Sequence, residues 1–233
     1  MYEYDIRVGY SQVDENKKLT IPALIDIFQD CSTFQSEDLG IGFDYCREHG
    51  YFWVINSWQV EIDRLPELCE KVSVFTYPVE FKGFMGKRCF GLKSGDDIIV
   101  RCFSLWALLS TKTSKPVPMD ALMNERYKTE EALPMGRIVR KITVPEESRK
   151  MAPLTIEPIH LDANHHVNNG KYVAIAAAYL PENFPIKGFR AQYISQAFLG
   201  DVIYPRVAGS PGEGCIISLE NGDGAPYAVM EFK

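Results

Sequence analysis

The sequence is short of positive charge. It contains 25 lysines and arginines against 31 aspartates and glutamates, and its formal net charge is −6. General nucleic-acid binding needs an excess of cationic side chains on one surface. The composition therefore argues against that class, and an acidic partner would need a local cluster of lysine and arginine.

Signals for secretion, membrane insertion and disulfide bonding are also missing. The N-terminal stretch "MYEYDIRVGYS" lacks the basic start and apolar stretch of a signal peptide, and no apolar run reaches the length of a membrane span. The cysteines show no CxxC spacing, and several lie in apolar runs where cysteine is typical of a core position. We predict a soluble protein of the reduced cytoplasm. The six cysteines are Cys31, Cys46, Cys69, Cys89, Cys102 and Cys215.

Several catalytic and nucleotide-binding motifs are absent as well. Ser210 in "AGSPGEG" does not complete G-x-S-x-G, "NGDGAP" lacks a full dinucleotide fingerprint, and there is no phosphate loop. No cysteine lies in a recognisable nucleophile context. For a hydrolase, the sequence therefore favours water as the nucleophile, with an acyl-carboxylate intermediate as the alternative.

What remains is the pattern of a globular α+β protein. Of the 233 residues, 46% are hydrophobic and 24% charged, which suits one large domain or two small ones. Apolar residues at three- and four-residue spacing predict a helix over 19–37 that starts near Thr20 and Pro22. These residues are Leu24, Ile27, Phe28, Cys31 and Phe34. Segments rich in β-branched and aromatic residues follow and predict strands at 51–62, 71–81, 86–93 and 96–109.

The second half repeats this order, with a predicted helix over 168–180 and strands at 188–195, 201–208, 214–220 and 226–232. "VDENKKLTI" (13–21) matches "LDANHHVNN" (161–169), and "LKSGDD" (92–97) matches "LENGDG" (219–224). The aligned pairs before the helices are Asp14 with Asp162, Asn16 with Asn164, and Leu19 with Val167. We interpret the chain as a duplication, with an insertion at 38–50 in the first copy.

Each copy is predicted to be a long helix wrapped by an antiparallel sheet. The first domain spans 1–118 and the second spans 151–233. The charged segment 119–150 lies between them and is either a linker or a helical stretch packed along the domains.

The segment "HLDANHHVNNGKYV" (160–173) is the strongest candidate for chemistry. A metal site is disfavoured, because adjacent His165 and His166 point in different directions and their ligating atoms would have to converge at about 2 Å from one ion. Helix capping explains Asp162 and the asparagines. It does not explain His166, because the first copy carries Lys18 at that position.

Catalysis is the third interpretation. The N–H groups at a helix N-terminus suit a developing oxyanion, and a carboxylate with an imidazole can orient and deprotonate water. A thioester is a sensible substrate, because its leaving thiol has a pKa of about 8.5 and needs little acid assistance.

"DANHHVNNGKY" is similar to the D-x-N-x-H-V-N-N-x-K-Y segment of the acyl-acyl carrier protein thioesterases of plants and bacteria. The resemblance spans nearly the whole chain and includes the strand block that ends in "SLWALL". It implies two tandem hotdog domains, hydrolysis of fatty acyl-carrier thioesters in fatty acid biosynthesis, and no metal or other cofactor. It also implies that the first domain mainly shapes the acyl pocket.

The resemblance implies roles for individual residues. Asp162 would be the base or water-orienting carboxylate, His166 the water activator and proton shuttle, and Asn164 the group that fixes geometry or binds the thioester carbonyl. Backbone N–H groups of Val167 and Asn168 would complete the oxyanion site. "YISQAFLGD" places Gln196 and Ala197 where plant members have a glutamate and a cysteine, so Gln196 would at most orient water or is simply a solvent-facing strand residue.

The acidic carrier protein is the expected partner. The chain itself is expected to be either a monomer, in which the two domains mimic a dimer, or a homodimer. Two groups of basic residues are candidates for docking it. They are Arg137, Arg140, Lys141, Arg149 and Lys150, and Lys82, Lys87 and Arg88. Trp53, Trp58, Phe28 and Phe34 are candidates for the acyl tunnel, with core packing as the alternative. Two rival functions stay open: an acyl-coenzyme A thioesterase, and a non-catalytic acyl-binding module.

Overall fold

The structure is a computed structural model that describes residues 1–139, 141–182, 184–210 and 214–233. The chain divides into two compact units, Met1–Ile138 (unit 1) and Val139–Lys233 (unit 2). The division falls inside the segment 119–150. The domain limits drawn from the sequence, 1–118 and 151–233, stay a prediction.

Unit 1 is a helix packed on a five-stranded antiparallel sheet. The strand order is β1-β3-β4-β5-β2, and α1 packs on β3. The strands are β1 (Tyr2–Arg7), β2 (Tyr51–Ile62), β3 (Lys71–Lys82), β4 (Met85–Ser94) and β5 (Asp97–Ser110). The helices are α1 (Ile21–Asp38), α2 (Phe43–His49) and α3 (Ala121–Arg126). The sequence predicted β2 to β5 but missed β1, whose residues alternate between partly buried and exposed and whose place is set by pairing with β3.

The start of α1 agrees with the sequence. The Thr20 side chain accepts a hydrogen bond from the Ala23 N–H, and Pro22 lies in the first turn, where its missing N–H costs nothing. Leu24, Phe28 and their neighbours on one face are buried. Phe34 is the exception: it is 44% exposed and packs on Tyr4, with ring centroids 5.5 Å apart.

Unit 2 has the same plan with a shorter helix. The strand order is β8-β11-β10-β9-β6, with β7 paired to β9, and α4 packs on β10 and β11. The strands are β6 (Arg149–Lys150), β7 (Leu154–Thr155), β8 (Gly188–Tyr193), β9 (Val202–Ser210), β10 (Gly214–Glu220) and β11 (Pro226–Phe232). The helix α4 (Asn169–Ala177) has 9 residues against 18 in α1. The α+β architecture predicted for both copies is confirmed.

The repeated segments have equivalent places in the two units. The segments 92–97 and 219–224 lie at the hairpins β4–β5 and β10–β11. The additional helix α2 occupies the predicted insertion after α1. None of the helices in the described ranges has both the length and the apolar character that a membrane crossing requires.

The carboxylate of Glu70 is expected to make the stability of unit 1 depend on pH in the acid range. This carboxylate binds the Arg64 guanidinium through two hydrogen bonds of 2.7 and 3.0 Å, and accepts a third from Ser94 Oγ. These bonds lower the pKa of Glu70 from 4.5 to about 2, with the Arg64 hydrogen bonds the largest cause. Because the folded pKa is depressed, the stabilisation is present above the unfolded value and is lost as the pH falls towards 2.

Glu70→Gln is therefore expected to lower the free energy of unfolding by roughly 1 kcal/mol at neutral pH, since the pair is partly exposed to solvent and screened by it. Chemical denaturation across the pH range checks this. The difference between wild type and variant should shrink as the pH falls, and a constant difference would contradict the assignment.

Candidate active site

A tight loop at 161–168 leads into α4 and is organised by Asp162. Its Oδ1 accepts hydrogen bonds from the backbone N–H groups of Asn164 (2.8 Å) and His166 (3.4 Å). The Asp162 N–H in turn donates to the His166 carbonyl at 2.9 Å. His165 takes a left-handed conformation with φ of 62° to close the loop. Asp162 thus makes the capping-type contacts that the sequence offered as the structural interpretation.

The same loop occurs in unit 1 before α1. Asp14 Oδ1 accepts from the N–H groups of Asn16 and Lys18, both at 2.9 Å, and Lys17 has φ of 62°. The Asp14 N–H donates to the Lys18 carbonyl at 2.9 Å. The structure therefore supports the duplication that the sequence indicated, and it shows that an aspartate at this position needs no catalytic role to form the loop.

His160 also has a structural equivalent in unit 1. Its Nδ1 accepts from the Glu157 N–H at 2.9 Å, as Gln12 Oε1 accepts from the Gly9 N–H at 2.8 Å. In both units this contact closes a short turn before the loop. His160 is thus engaged in backbone capping.

His166 is where the two loops differ chemically. Its side chain is half-buried, and the edge of its ring meets Phe198 with centroids 5.0 Å apart. Lys18 occupies this position in unit 1. Unit 2 therefore presents a titratable imidazole at a point where unit 1 presents an ammonium group.

The segment around Ala197 is tied to this loop. The Ala197 carbonyl accepts from the Val167 N–H at 3.0 Å, and the Ala197 N–H donates to Tyr172 Oη at 2.8 Å. Burial is the main cause that raises the pKa of Tyr172, so this hydroxyl stays protonated. These bonds bring the neighbours of Ala197 to the loop: Phe198 contacts His166, and Gln196 is exposed. Gln196 lies beyond the end of β8. It is therefore not the strand residue that the sequence analysis offered as the alternative.

The predicted oxyanion donors are already engaged. The Val167 N–H donates to the Ala197 carbonyl, and the Asn168 N–H donates to the His160 carbonyl at 2.9 Å. Both bonds hold the loop in place, so neither N–H group points to an open site. This part of the predicted site needs correction: the loop uses these donors for its own closure.

Asp162 and His166 are connected through the backbone and not through their side chains. Within the described ranges, no carboxylate lies within 4.0 Å of the His166 imidazole. Oδ2 of Asp162 accepts from no described donor, so one carboxylate oxygen holds the loop while the other is unoccupied. No group of three or more histidine, cysteine, aspartate or glutamate side chains gathers as a metal site in this part of the chain.

The four aromatic residues suggested for an acyl tunnel all lie in unit 1. Phe28 and Trp58 are 0% and 1% exposed, and their ring centroids are 6.4 Å apart. Trp53 is half-buried against Phe81 at 6.2 Å. Phe34 lies at the surface on Tyr4, so it does not belong to this buried group.

Sequence comparison gives these features a family context. The family model for the acyl-ACP thioesterase N-terminal domain matches residues 1–127, which is more than half of the chain. The chain belongs to the acyl-ACP thioesterase family. The match covers most of unit 1, whereas the loop with His166 lies outside it.

A curated thioesterase relative and two solved structures agree with this membership. The acyl-[acyl-carrier-protein] hydrolase FATB3, chloroplastic, of Cuphea viscosissima is 26% identical over 203 residues, which is 78% of this chain and 46% of that protein. The chain thus spans about half the length of this curated relative.

Both solved structures have the same fold over the whole chain. An acyl-ACP thioesterase from Bacteroides thetaiotaomicron is 22% identical, with a TM-score of 0.89 and coverage of 99% of this chain and 96% of that one. The 12:0-ACP thioesterase from Umbellularia californica is 19% identical, with a TM-score of 0.88 and coverage of 100% and 96%. The tandem hotdog fold expected from the resemblance is confirmed.

The basic residues suggested for docking a carrier protein differ in accessibility. Arg137, Lys141, Arg149, Lys150 and Lys82 are exposed. Lys87 is paired with Glu80. Arg88 is only 7% exposed and therefore cannot contribute to a docking surface, which corrects the prediction for this residue. Arg140 lies outside the described residues.

The left-handed backbone at His165 allows the two adjacent histidines of this loop to be separated experimentally. A non-glycine residue at positive φ is strained, and glycine relieves the strain. His165 is also exposed. His165→Gly is therefore expected to leave kcat unchanged and to shift the free energy of unfolding by less than about 1 kcal/mol. Steady-state kinetics and chemical denaturation measure both. A large loss of kcat would move the catalytic assignment from His166 to His165.

Proposed function

We propose that the chain hydrolyses fatty acyl thioesters of acyl carrier protein to the free fatty acid and the carrier thiol. The observation that carries the proposal is the imidazole of His166, which unit 2 places on the loop where unit 1 has Lys18. The acyl-ACP thioesterase family supplies the substrate class. Hydrolysis of this kind belongs to fatty acid biosynthesis.

In the proposed mechanism, His166 acts as general base. Its imidazole takes a proton from a water molecule as the water oxygen attacks the thioester carbonyl carbon. The tetrahedral intermediate then expels the thiolate, and the protonated imidazole returns the proton to it. Because a thiol has a pKa of about 8.5, it leaves readily with this modest acid assistance.

Asp162 has two separate tasks in this mechanism. Oδ1 holds the loop through the N–H groups of Asn164 and His166, as Asp14 does in unit 1. Oδ2 has no described donor and is free to accept a hydrogen bond from the attacking water.

Asn164 is the proposed donor to the carbonyl oxygen. The backbone N–H groups of Val167 and Asn168 are occupied, so they cannot take this role without breaking the loop. The Asn164 side chain is exposed while its own N–H is anchored on Asp162, which leaves its carboxamide free to donate. Gln196 is proposed to orient water through its amide at most.

Carrier-protein docking is proposed to use the exposed cations of unit 2. Arg149 and Lys150 form the edge strand β6, and both side chains are exposed. An acidic carrier protein would be attracted to such a site. Unit 1 is proposed to shape the acyl pocket with Phe28, Trp58 and Trp53. We also propose a cytoplasmic location, since all six cysteines are free thiols, and a monomeric pseudo-dimer or a homodimer as the assembly.

A thiol-release assay tests the function directly. Acyl groups of several chain lengths are presented on the carrier protein and on coenzyme A, with wild type and Arg149→Glu/Lys150→Glu compared. The proposal expects faster release from the carrier protein and a higher KM for that substrate in the charge-reversed variant, with kcat preserved. Equal rates on both carriers would favour an acyl-coenzyme A thioesterase. Tight acyl binding without thiol release would indicate a binding module.

A further inference from the structure

Unit 1 contains a buried arginine that the thioesterase mechanism does not use. Arg88 on β4 is 7% exposed, and no carboxylate of the described residues lies within 4.0 Å of its guanidinium. Its Nη1 donates to Gln35 Oε1 of α1 and, at 3.1 Å, to Thr76 Oγ1 of β3. Burial lowers the pKa of this guanidinium, which nevertheless stays protonated. An arginine buried without a counter-ion is costly, so a bound anion would stabilise it.

The surroundings of Arg88 are mostly aromatic rings, and they include the Tyr127 hydroxyl, which is hydrogen-bonded to Ser36 Oγ. The Arg88 Cζ lies 6.0 Å from the Phe90 ring centroid and 5.5 Å from that of Tyr127. The Phe90 ring contacts Trp58 at 5.2 Å, and the Tyr127 ring contacts Phe81 at 5.3 Å. The guanidinium Nε and Nη2 groups donate to no described acceptor, although they are not among the fully buried unpaired atoms of the described residues. Two cation–π contacts of this kind compensate only part of the lost hydration.

Two indole N–H groups on the same face of the sheet also lack acceptors. Trp53 Nε1 and Trp58 Nε1 are buried and donate to nothing in the described ranges. In the sheet register, Arg88 pairs with Ser104, and Ser104 pairs with Trp58. Trp53 pairs with Leu108, four residues along β5 from Ser104. Paired residues share a face and alternate residues along a strand return to it, so all three donors lie on the same face of the sheet. Arg88 and Trp58 contact α1 on this face, whereas Trp53 packs with residues of α2 and α3.

The acceptors on this face are already used. Thr76 Oγ1 and Gln35 Oε1 accept from Arg88, and Ser104 Oγ accepts from Trp106 Nε1 at 2.8 Å. Buried donors in native proteins are almost always paired. Among the described residues, this face therefore carries two unpaired indole N–H groups and one guanidinium with no carboxylate within 4.0 Å.

We propose that the Arg88 face of unit 1 binds a carboxylate carried on an aliphatic chain. The guanidinium fork supplies charge and paired donors, Trp58 and Trp53 supply further N–H groups, and the surrounding rings contact the chain. Two sources present this chemistry: a free fatty acid, and the distal carboxylate of an acyl group that carries one at its far end. The second source rests on the proposed hydrolysis, whereas the first does not.

Isothermal titration calorimetry on the full chain tests the site without any need for turnover. Dodecanoate and dodecanol are the probes, because they share the chain and differ in the carboxylate. Wild type is expected to bind dodecanoate about tenfold to a hundredfold more tightly, as for a hydrogen-bonded charged group. Arg88→Met should abolish this preference and keep the affinity for dodecanol. Equal affinities in wild type would overturn the proposal.

Two conservative variants keep the test decisive if Arg88→Met does not fold. Trp58→Phe removes a free N–H and is expected to reduce the preference for dodecanoate severalfold. Trp106→Phe is the matched control, because its N–H already donates to Ser104, and the preference should stay unchanged. An equal effect of the two variants, or no effect of Trp58→Phe, would contradict the site.

Kinetics separate the two sources. If the free fatty acid is the occupant, dodecanoate inhibits wild type much more strongly than Arg88→Met, and a distal carboxylate on the acyl-carrier substrate gives no advantage. If the distal carboxylate is the occupant, that substrate is hydrolysed faster than the plain one, and Arg88→Met reverses the order. If the protein showed no thioesterase activity, the proposed function would be wrong. The calorimetric test of the carboxylate site would still hold, because it does not depend on turnover.

Discussion

His166→Ala is expected to lower kcat for acyl-carrier thioesters by about a hundredfold to ten-thousandfold, the range of a lost general base. The alanine leaves water without a proton acceptor at the loop, while the backbone bond from the residue 166 N–H to Asp162 persists. Steady-state thiol release with saturating substrate gives the change in kcat. Circular dichroism and thermal unfolding check that the fold is kept.

Lys18→Ala supplies a control at the equivalent loop position of unit 1. It removes a side chain from the same backbone geometry, with the same aspartate bond, in the unit to which no chemistry is assigned. We expect kcat to stay within about twofold of wild type, since an exposed lysine outside a functional site contributes little. Hydrolysis that survived His166→Ala, or fell equally in Lys18→Ala, would remove the mechanism.

Asp162→Asn is expected to lower kcat by about a hundredfold with little effect on stability. Asparagine keeps an Oδ1 that can accept from the N–H groups of Asn164 and His166. It loses the negative charge and the second carboxylate oxygen, which the mechanism uses to orient the attacking water. The kinetic loss should therefore appear without a comparable loss in the free energy of unfolding.

Comparison with alanine separates the two tasks of this aspartate. Asp162→Ala should lose the same activity and, in addition, about 0.5–2 kcal/mol of stability from the lost capping hydrogen bonds. Asp14→Ala should show a similar loss of stability with kcat preserved, because Asp14 holds the equivalent loop without chemistry. An Asp162→Asn variant with wild-type kcat would assign Asp162 to structure alone.

The duplicated loop is the part of the candidate site that the sequence predicted best. The pairs Asp14 with Asp162 and Asn16 with Asn164 were visible as letters, and the structure places them in loops with matching hydrogen bonds. The signal was strong because each loop needs an acceptor at its first position and a positive φ three residues later. The sequence near Val167 and Asn168 did not indicate that their N–H groups donate hydrogen bonds within the fold, because the acceptors lie elsewhere in the chain.

Phe34 and Arg88 are two residues whose burial the sequence did not predict correctly. Helical spacing placed Phe34 with the apolar residues of α1, yet it lies half exposed on Tyr4 of a strand that the sequence did not reveal. Arg88 looked like a surface cation because charge is normally solvated. Its burial depends on where β4 faces α1, and a one-residue change of register would have turned the side chain outward.

The sequence by itself determined the α+β order of elements, the duplication and the loop that carries His166, because periodicity, helix starts and loop-forming aspartates are local properties of the chain. Tertiary structure alone decided which N–H groups donate the hydrogen bonds that close the loop and which aromatic residues are buried. It also decided that Arg88 lies without a counter-ion near two unpaired indole N–H groups. Those outcomes depend on which distant segment lies opposite each residue, and pairing between strands and helices sets that only after folding.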